Sequence, residues 1–248
     1  MKQAMIFAAG LGTRLKPLTD RIPKALVRVG NKTLLERVID ILKDADTDEI
    51  VINVHHFAEQ IRDFLDDHSN FNTDIRISDE SDRLLDTGGG LRKASSLFNG
   101  VDPILIHNVD ILSNVNLKEF YERNKNFKAT LLVSSRKTSR YLLFDDNNRL
   151  VGWTNIQTGE VKSPYKDLNP NDCHQYAFSG IHLFSPSLFP EMQSFPDKFG
   201  IIDFYLKVCG KIEIHGEVKD DLQLMDVGKL DTLAQAEDFI LKNRSNYK

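Results

Sequence analysis

A short apolar run at the start of the chain leads into a segment rich in glycine. The run Ala4–Phe7 is typical of a buried strand, and residues 8–26 read AAGLGTRLKPLTDRIPKAL. Gly10 and Gly12 permit a sharp turn that brings backbone N–H groups close to a ligand. The spacing therefore favours a strand followed by a loop that accepts a ligand against its backbone.

Two cations of different character lie in the same segment. The guanidinium of Arg14 is a planar fork that suits phosphate oxygens, whereas the ammonium of Lys24 is a compact point charge. Leu15 replaces the third glycine of a dinucleotide-binding G-x-G-x-x-G motif, and neither Gly10 nor Gly12 leads into a P-loop Gly-Lys-Ser/Thr. We therefore expect a nucleoside triphosphate loop of another kind, the alternative being a plain turn with surface cations.

Composition excludes several classes of protein. A length of 248 residues, with 41% hydrophobic and 27% charged residues, suits one large α/β domain. The net charge of −4 gives no reason to expect a nucleic-acid surface. Cys173 and Cys209 are too few for a disulfide framework or a zinc site. Because the chain shows no leader-like start and no apolar run of membrane-spanning length, we expect a cytoplasmic protein without a membrane partner.

Hydrophobic periodicity indicates an α/β fold. Strand-like and helix-like segments alternate in the first half, which favours βαβ units and a largely parallel sheet. The predicted helices there are 34–42, 58–65 and 91–98, and the predicted strands are 50–54, 75–77 and 103–107. Further strands are predicted at 129–134, 141–144, 150–155 and 177–184, and an amphipathic helix at 233–241. No linker or repeat divides the chain, so we expect one domain over residues 1–248.

A triple glycine stands in the sequence Asp86-Thr87-Gly88-Gly89-Gly90. We expect these residues to form a loop between a strand and a helix. Three consecutive glycines cost backbone entropy, so a close approach to something should require them. A plain flexible turn is the alternative.

A carboxylate, Asp110, follows the predicted strand at 103–107, with Asn108 two positions before it. The carboxyl end of a parallel strand faces the crevice in which open α/β sheets bind ligands. Mg²⁺ prefers one or two carboxylates together with phosphate oxygens and water. Asp110 is therefore a candidate metal ligand and Asn108 a candidate substrate contact, although an aspartate here is also a common turn residue.

The first segment resembles the signature of the sugar-phosphate nucleotidyltransferases, A-A-G-x-G-T-R-x-x-P-L-T followed by P-K. The resemblance implies a single Rossmann-like, glycosyltransferase-A-like domain whose mixed, mostly parallel central sheet is flanked by helices. It implies a nucleotide-binding half at about 1–115 and a sugar-binding half at about 116–248, and we expect no C-terminal β-helix domain. In this family the loop wraps the nucleotide phosphates, which would assign Arg14 to the leaving pyrophosphate and Lys24 to the phosphates near the reacting centre. The backbone contacts would come from Ala8, Ala9, Gly10, Gly12 and Thr13.

The same resemblance concerns the nucleobase. A glycine-rich loop at the second position lies against the base in this family and supplies backbone hydrogen bonds. It assigns base contacts to Thr87, Gly88 and Gly89. Glu80 and Ser81 are weaker candidates for the edge of the base.

A second metal ligand is also implied. Residues 225–228, Met-Asp-Val-Gly, resemble the family element W-x-D-V-G-T, in which the aspartate binds Mg²⁺. Asp110 and Asp226 would therefore hold Mg²⁺. The departures from the element, at Met225 and Lys229, lie outside the carboxylate.

The sugar side is less clearly marked. Residues 178–181 resemble a family segment that precedes a strand lining the sugar pocket, which assigns sugar contacts to Asn108, Ser179 and Gly180. Trp153 is a further sugar contact by stacking, or else a core residue. The Glu-Lys-Pro motif whose lysine binds the sugar phosphate in relatives is missing, with Lys162 as a possible substitute.

The implied reaction transfers a nucleoside monophosphate from a nucleoside triphosphate to a sugar 1-phosphate and releases pyrophosphate, with Mg²⁺ as cofactor. We expect a monomer or small homo-oligomer. The short chain and triple glycine are most similar to family members that use UTP and N-acetylmuramate 1-phosphate in cell wall recycling. Mannose- and heptose-1-phosphate guanylyltransferases are the alternatives. A catalytically silent regulatory homologue is an alternative of another class, although such relatives typically lose one of the charged residues present here.

Overall fold

The computed structural model describes residues 1–243 and residue 247. Over these residues the chain forms strands and α-helices joined by short turns and 3₁₀ segments. The strands are β1 Gln3–Phe7, β2 Arg28–Val29, β3 Lys32–Thr33, β4 Glu49–Val54, β5 Asp74–Asp79, β6 Ile104–Asn108, β7 Ile111–Ser113, β8 Ala129–Ser134, β9 Arg140–Phe144, β10 Leu150–Asn155, β11 Glu160–Lys162, β12 His174–Phe184, β13 His215–Val218 and β14 Leu224–Asp226. The α-helices are α1 Leu34–Asp44, α2 Ala58–Asp67, α3 Asp86–Lys93, α4 Leu117–Asn124, α5 Ile201–Val208 and α6 Leu230–Lys242.

The main sheet has a parallel part and an antiparallel part. Strand β1 lies between β4 and β6 and is parallel to both, and β5 continues the parallel part beyond β4. Strand β12 is antiparallel to β6, β8 and β9. Strands β10 and β11 extend the sheet from β9, and β13 pairs in parallel with β8. The single α/β domain with a mixed central sheet flanked by helices is confirmed.

Residues on the two faces of the sheet pack into separate cores. Successive side chains of a strand point to opposite faces. Ala4 and Ile6 of β1 accordingly pack with α1, α2, α4 and α6, whereas Met5 and Phe7 pack with α3 and α5. All residues of β1 are buried, which is typical of a parallel strand covered by helices on both sides.

Two histidines are buried on opposite faces of the main sheet, since His107 is in register with Ile6 and Ile181 whereas His182 is in register with Ile106. His107 on β6 and His182 on β12 have no exposed surface. The Nδ1 of His107 lies 2.8 Å from the carbonyl oxygen of Asn108, whereas neither ring nitrogen of His182 has a hydrogen-bond partner among the described residues. The ring of Tyr205 meets His182 edge-on, with the centroids 5.7 Å apart.

The carboxyl ends of several strands meet at one edge of the main sheet. Strands β6 and β8 are both antiparallel to β12 and therefore run in the same direction as each other. Strands β1 and β4 share that direction. We call the carboxyl ends of β1, β4, β6 and β8 the ligand edge, because ligands of open α/β sheets bind at such an edge.

Most predicted elements occur where periodicity placed them, but the helix predicted at 91–98 is α-helical only to Lys93 and continues as a 3₁₀ turn at Ala94–Leu97. The predicted glycine loop differs more. The residues Asp86 to Gly90 do not form a loop, because they are the first turn of α3. The prediction of a loop was wrong. It was based on the high backbone entropy of glycine, which favours irregular structure. In the folded protein, the absence of side chains at these glycines instead lets α3 pack closely against the chain at residues 197–199. A Cβ on Gly88 would lie 2.4 Å from the ring of Phe199, and one on Gly89 would lie 2.3 Å from the carbonyl oxygen of Asp197.

In the described part of the chain, no helix is both long enough and apolar enough to cross a membrane.

Candidate active site

The loop after β1 owes its shape to contacts within itself. Gly12 has φ +63°, in the left-handed region. The hydroxyl of Thr19 donates to the carbonyl oxygen of Gly12 at 2.8 Å, and a Cβ on Gly12 would lie 2.8 Å from Thr19 Cγ2. Leu15 is fully buried and anchors the 3₁₀ turn Thr13–Leu15. Only glycine fits at position 12, so the sequence itself fixes the path of the loop.

Asn53 on β4 links this loop to the neighbouring segment. Its Oδ1 accepts the N–H of Ala8 at 2.8 Å, and its Nδ2 donates to Glu80 Oε1 at 2.7 Å. The N–H of Leu85 donates to the other carboxyl oxygen of Glu80 at 3.0 Å. Burial raises the pKa of Glu80, and these hydrogen bonds oppose that shift. The loop, β4 and the start of α3 are thus held together by one buried network.

Asp110 and Asp226 come together beside the ligand edge. Asp226 of β14 is in register with Ile111 of β7, and the N–H of Val227 donates to the carbonyl oxygen of Asp110 at 2.8 Å. A Cβ on Gly228 would lie 2.6 Å from Asp226 Oδ1 and 3.3 Å from Asp110 Oδ2. Partial burial and the adjacent Asp110 carboxylate raise the pKa of Asp226. The two carboxylates therefore form a close pair that a cation would stabilise.

Each carboxylate of this pair already faces one protein cation. The Nζ of Lys24 is in direct contact with Asp110 Oδ2, and both side chains are only 13% exposed. The Nη2 of Arg14 lies 3.8 Å from Asp226 Oδ2, and these side chains are about half exposed. The sequence predicted these four residues from three distant segments, and the structure brings them together.

The carboxylate pair fits Mg²⁺. Residues 1–243 and 247 contain no cluster of three or more His, Cys, Asp or Glu side chains that could hold a metal. Mg²⁺ commonly uses one or two carboxylates and leaves its other positions to phosphate oxygens and water. Asp110 and Asp226 offer such a partial ligand set, with the Asp226 side chain 49% exposed towards solvent.

A cavity of about 350 Å³ adjoins Asp110. Its volume is within the range of about 300–1,000 Å³ found for small-molecule sites. Six residues predicted to bind substrates or metal line it, as does the weaker candidate Glu80. The lining residues are Phe7, Ala9, Gly10, Lys24, Asn53, Glu80, Leu84, Asp86, Thr87, Asn108, Val109, Asp110 and Lys198.

The glycines of α3 lie behind this cavity. The N–H groups of Gly88 and Gly89 donate to the carbonyl oxygen of Phe199 at 2.9 and 3.1 Å, so both donors are used within the protein. The hydroxyl of Thr87 accepts the N–H of Ile201 at 2.9 Å and retains its own hydrogen for a ligand. The base contact of Thr87 suits this geometry, while those of Gly88 and Gly89 stay predictions. Ser81 does not line the cavity, and its N–H donates to Asp79 Oδ1 at 2.7 Å.

Ser179 and Gly180 form an irregularity inside β12 and do not precede the strand as predicted. The register with β8 shifts between Phe178 and His182. Gly180 has φ +81°, and a Cβ there would lie 2.8 Å from Asn108 Nδ2. Ser179 is 1% exposed, and its Oγ accepts the N–H of Ile181 at 3.1 Å. Gly180 is therefore placed against Asn108 of the cavity wall, and Ser179 supports the bulge from within.

Trp153 and Lys162 lie away from the cavity. Lys162 Nζ is 5.2 Å from the centre of the Trp153 ring, which is partly buried against the core containing α5. The same ammonium lies 3.8 Å from carboxylate oxygens of Glu160 and Asp203. The structure thus does not bring these two candidates to the other predicted site residues.

Asn53 and Lys198 line the cavity although neither was predicted from the sequence as a site residue. Asn53 carries a signal that could have been used, because it is a lone polar residue within a buried apolar strand. Lys198 has no local signal, since it follows a stretch of irregular chain and reaches the cavity only through tertiary packing.

A cavity at the ligand edge, lined in part by a glycine-rich loop and flanked by two carboxylate–cation pairs, is typical of α/β proteins that bind small charged molecules. The sequence model of the nucleotidyl transferase family matches residues 3–243, and the chain belongs to that family.

Curated relatives agree with this membership. The chain is 39% identical over 192 residues to N-acetylmuramate alpha-1-phosphate uridylyltransferase of Neisseria meningitidis serogroup B, covering 77% of this chain and 79% of the relative. It is 42% identical over 111 residues to the protein of that name from Caulobacter vibrioides, covering 44% of this chain and 46% of the relative.

The fold also has solved counterparts. One is a putative glucose-1-phosphate thymidylyltransferase from Bacillus anthracis in complex with a sucrose, with a TM-score of 0.80 and 18% identity. The match covers 96% of this chain and 95% of that structure. At this identity the likeness establishes the fold alone.

Proposed function

We propose that this protein is a sugar-1-phosphate nucleotidyltransferase. It transfers a nucleoside monophosphate from a nucleoside triphosphate to a sugar 1-phosphate and releases pyrophosphate. The observation that carries the proposal is the pairing of Lys24 with Asp110 and of Arg14 with Asp226 beside the cavity, in a chain of the nucleotidyl transferase family.

The reaction needs no general base from the protein. A phosphate monoester has a second pKa near about 6, so the sugar phosphate is mostly dianionic at neutral pH. One of its oxygens attacks the α-phosphorus, the bond from that phosphorus to the bridging oxygen breaks, and pyrophosphate leaves with the electron pair. The protein therefore contributes positioning and charge neutralisation, the usual basis of catalysis in phosphoryl transfer.

The charged side chains divide this work between them. Lys24, at the wall of the cavity, neutralises charge on the α-phosphate, and Arg14 holds the departing pyrophosphate by its planar fork. Asp110 and Asp226 would hold Mg²⁺, which would supply further positive charge against the phosphates. The backbone of the loop after β1 packs against the phosphates, and the base lies towards Glu80 and Thr87.

UTP and N-acetylmuramate 1-phosphate are the proposed substrates. The two relatives described above carry these substrates in their names. The Neisseria relative matches across most of both chains. The product is a nucleotide sugar, which would serve cell wall recycling in the cytoplasm.

The test is pyrophosphate release from UTP, dTTP, GTP, CTP and ATP, each with a panel of sugar 1-phosphates, in Mg²⁺ and in excess chelator. We expect Mg²⁺-dependent release with UTP and N-acetylmuramate 1-phosphate. Pyrophosphate release with GTP and mannose or heptose 1-phosphate would support the proposed type of reaction but contradict the proposed substrates. If the folded protein bound nucleotide but released no pyrophosphate with any pair of substrates, the proposed enzymatic activity would be wrong. That result would favour a regulatory homologue.

A further inference from the structure

Arg136 follows β8 at the ligand edge. Strand β8 ends at Ser134, and its direction matches that of β6, which ends at Asn108. The residues after both strands therefore emerge at the same edge of the sheet, with β12 between them. Arg136 thus lies on the far side of β12 from the loop that carries Lys24.

The side chain of Arg136 turns back towards the candidate site. Its Nη2 donates to the carbonyl oxygen of Phe178 at 2.9 Å. Phe178 begins the bulge of β12, whose Gly180 packs against Asn108. The hydrogen bond therefore holds the guanidinium against β12 at the start of its bulge.

Arg136 also interacts electrostatically with Asp226, one member of the carboxylate pair. Surrounding protein atoms lower the pKa of Arg136, and the Asp226 carboxylate opposes that shift. A guanidinium has five N–H donors, and the contact with Phe178 uses one. Among the described residues no other hydrogen bond of this guanidinium is seen, so its remaining N–H groups can face a planar set of oxygens such as those of a phosphate.

The two cations beside Asp110 and Asp226 are already paired with these carboxylates, so a further cation is needed to neutralise the sugar phosphate. Lys24 and Arg14 are matched to Asp110 and Asp226, and both come from the loop assigned to the nucleotide. A sugar 1-phosphate brings two further negative charges at neutral pH. Lys162, the substitute considered from the sequence, is instead held by Trp153 and two carboxylates outside the cavity.

We propose that Arg136 binds the phosphate of the sugar 1-phosphate and orients its attacking oxygen towards the α-phosphorus. This inference rests on the proposed function. Arg136 grips two non-attacking phosphate oxygens, while the backbone carbonyl of Phe178 fixes the plane of the guanidinium.

The test compares Arg136→Ala with wild type in steady-state kinetics and in binding. We expect the KM for the sugar 1-phosphate to rise roughly 10- to 100-fold, the loss typical of a charge-assisted contact. The KM for the nucleoside triphosphate should change by less than about twofold. Arg136→Lys should recover part of the loss, and guanidinium ion added to Arg136→Ala should recover part of its turnover.

Two matched variants serve as controls. Lys137→Ala removes the adjacent cation, and Lys162→Ala removes the substitute considered from the sequence. Both should keep wild-type KM values. Equal losses of nucleotide and sugar-phosphate affinity in Arg136→Ala would overturn the assignment, as would a selective loss in Lys162→Ala.

Calorimetric titration with the sugar 1-phosphate separates this inference from the proposed function. Titration of wild type and Arg136→Ala, in Mg²⁺ and a non-hydrolysable nucleoside triphosphate analogue, needs no turnover. Tight binding to wild type and weak binding to the variant would support Arg136 even if pyrophosphate release failed. Equal binding to the two proteins, or none to wild type, would overturn it. Circular dichroism of each variant establishes that it is folded.

Discussion

Lys24 and Asp110 form a direct ion pair whose two side chains are each only 13% exposed. Lys24 comes from the loop after β1 and Asp110 from the turn after β6, so the pair joins two neighbouring strands at the ligand edge. Asp226 lies next to Asp110 and has a raised pKa because of partial burial and that neighbouring carboxylate. Lys24 therefore holds together a site whose carboxylates would otherwise repel each other.

Replacing Lys24 should abolish most of the turnover while leaving the protein folded. Lys24→Ala removes a preorganised charge from the wall of the cavity, and we expect kcat to fall by about 10²-fold or more. Pyrophosphate release under saturating substrates measures the effect. Lys16→Ala, in the same loop but 59% exposed and paired with Asp20, is the matched control and should keep its rate within about twofold. Similar rates for the two variants would argue against the role of Lys24.

The carboxylate pair should account for stabilisation by Mg²⁺. In wild type, Mg²⁺ with nucleotide should raise the melting temperature through binding to the folded state. Asp110→Asn and Asp226→Asn each remove one ligand charge, so this rise should be lost together with turnover. Asp221→Asn alters an exposed aspartate paired with Lys219 and should leave both properties unchanged. If Mg²⁺ still raised the melting temperature of Asp110→Asn as much as that of wild type, Asp110 would not be a metal ligand.

Much of this molecule could be predicted from sequence because its signals are local. The apolar runs of β1, β4 and β6 predict buried strands, and the amphipathic period of Leu34–Asp44 predicts α1. The loop after β1 could be assigned because Gly12 and its cations are adjacent in the chain. Asp226 was identified only by resemblance, since its proximity to Asp110 depends on the pairing of β14 with β7.

The remaining features depend on tertiary contacts that leave no local pattern. The triple glycine suggested a loop because glycine loses much backbone entropy in a helix. Residues 88–90 nevertheless form part of a helix, and Phe199 and Asp197 pack closely against it. Arg136 looks like one surface cation among several until the direction of β8 places it at the ligand edge. Lys162 drew attention by sequence position alone, and packing against Trp153 removes it from the cavity.

Two glycines should respond to alanine in opposite ways. A Cβ on Gly89 would lie 2.3 Å from the carbonyl oxygen of Asp197, whereas a Cβ on Gly10 would have no protein atom within 4 Å. Gly89→Ala should lower the free energy of unfolding by about 1–3 kcal/mol through overpacking. Gly10→Ala should change it by less than about 0.5 kcal/mol but weaken nucleotide binding about tenfold or more, because its methyl group enters the cavity.

Urea unfolding and nucleotide titration of these two glycine variants separate the effects. Gly10→Ala with unchanged nucleotide affinity would show that the loop backbone does not approach the phosphates. If Gly89→Ala kept the stability of wild type, the segment at residues 197–199 would have to move away from α3 with little loss of folding free energy.

The buried histidines should make the protein lose stability as the pH falls below about 6.5, the pKa of an unfolded-state histidine. Burial lowers the pKa of His107 to about 4, and burial together with His107 lowers the pKa of His182 to about 3. Above pH 6.5 both rings are neutral in either state, so they contribute no pH dependence. Below pH 6.5 the unfolded chain binds protons that the folded chain cannot. The free energy of unfolding therefore falls by about 1.4 kcal/mol per pH unit for each ring, until the pH reaches the pKa of that ring in the folded protein.

The difference between wild type and a His182→Gln variant isolates this effect from other titrating groups. We expect the free energy of unfolding, from urea titrations between pH 7.5 and pH 5, to fall less steeply in the variant by about 1 kcal/mol per pH unit. His174→Gln, at a side chain 51% exposed and paired with Asp146, should keep the wild-type slope. Equal slopes in wild type and His182→Gln would mean that the ring of His182 takes up a proton in the folded protein, although no carboxylate among the described residues acts on its pKa.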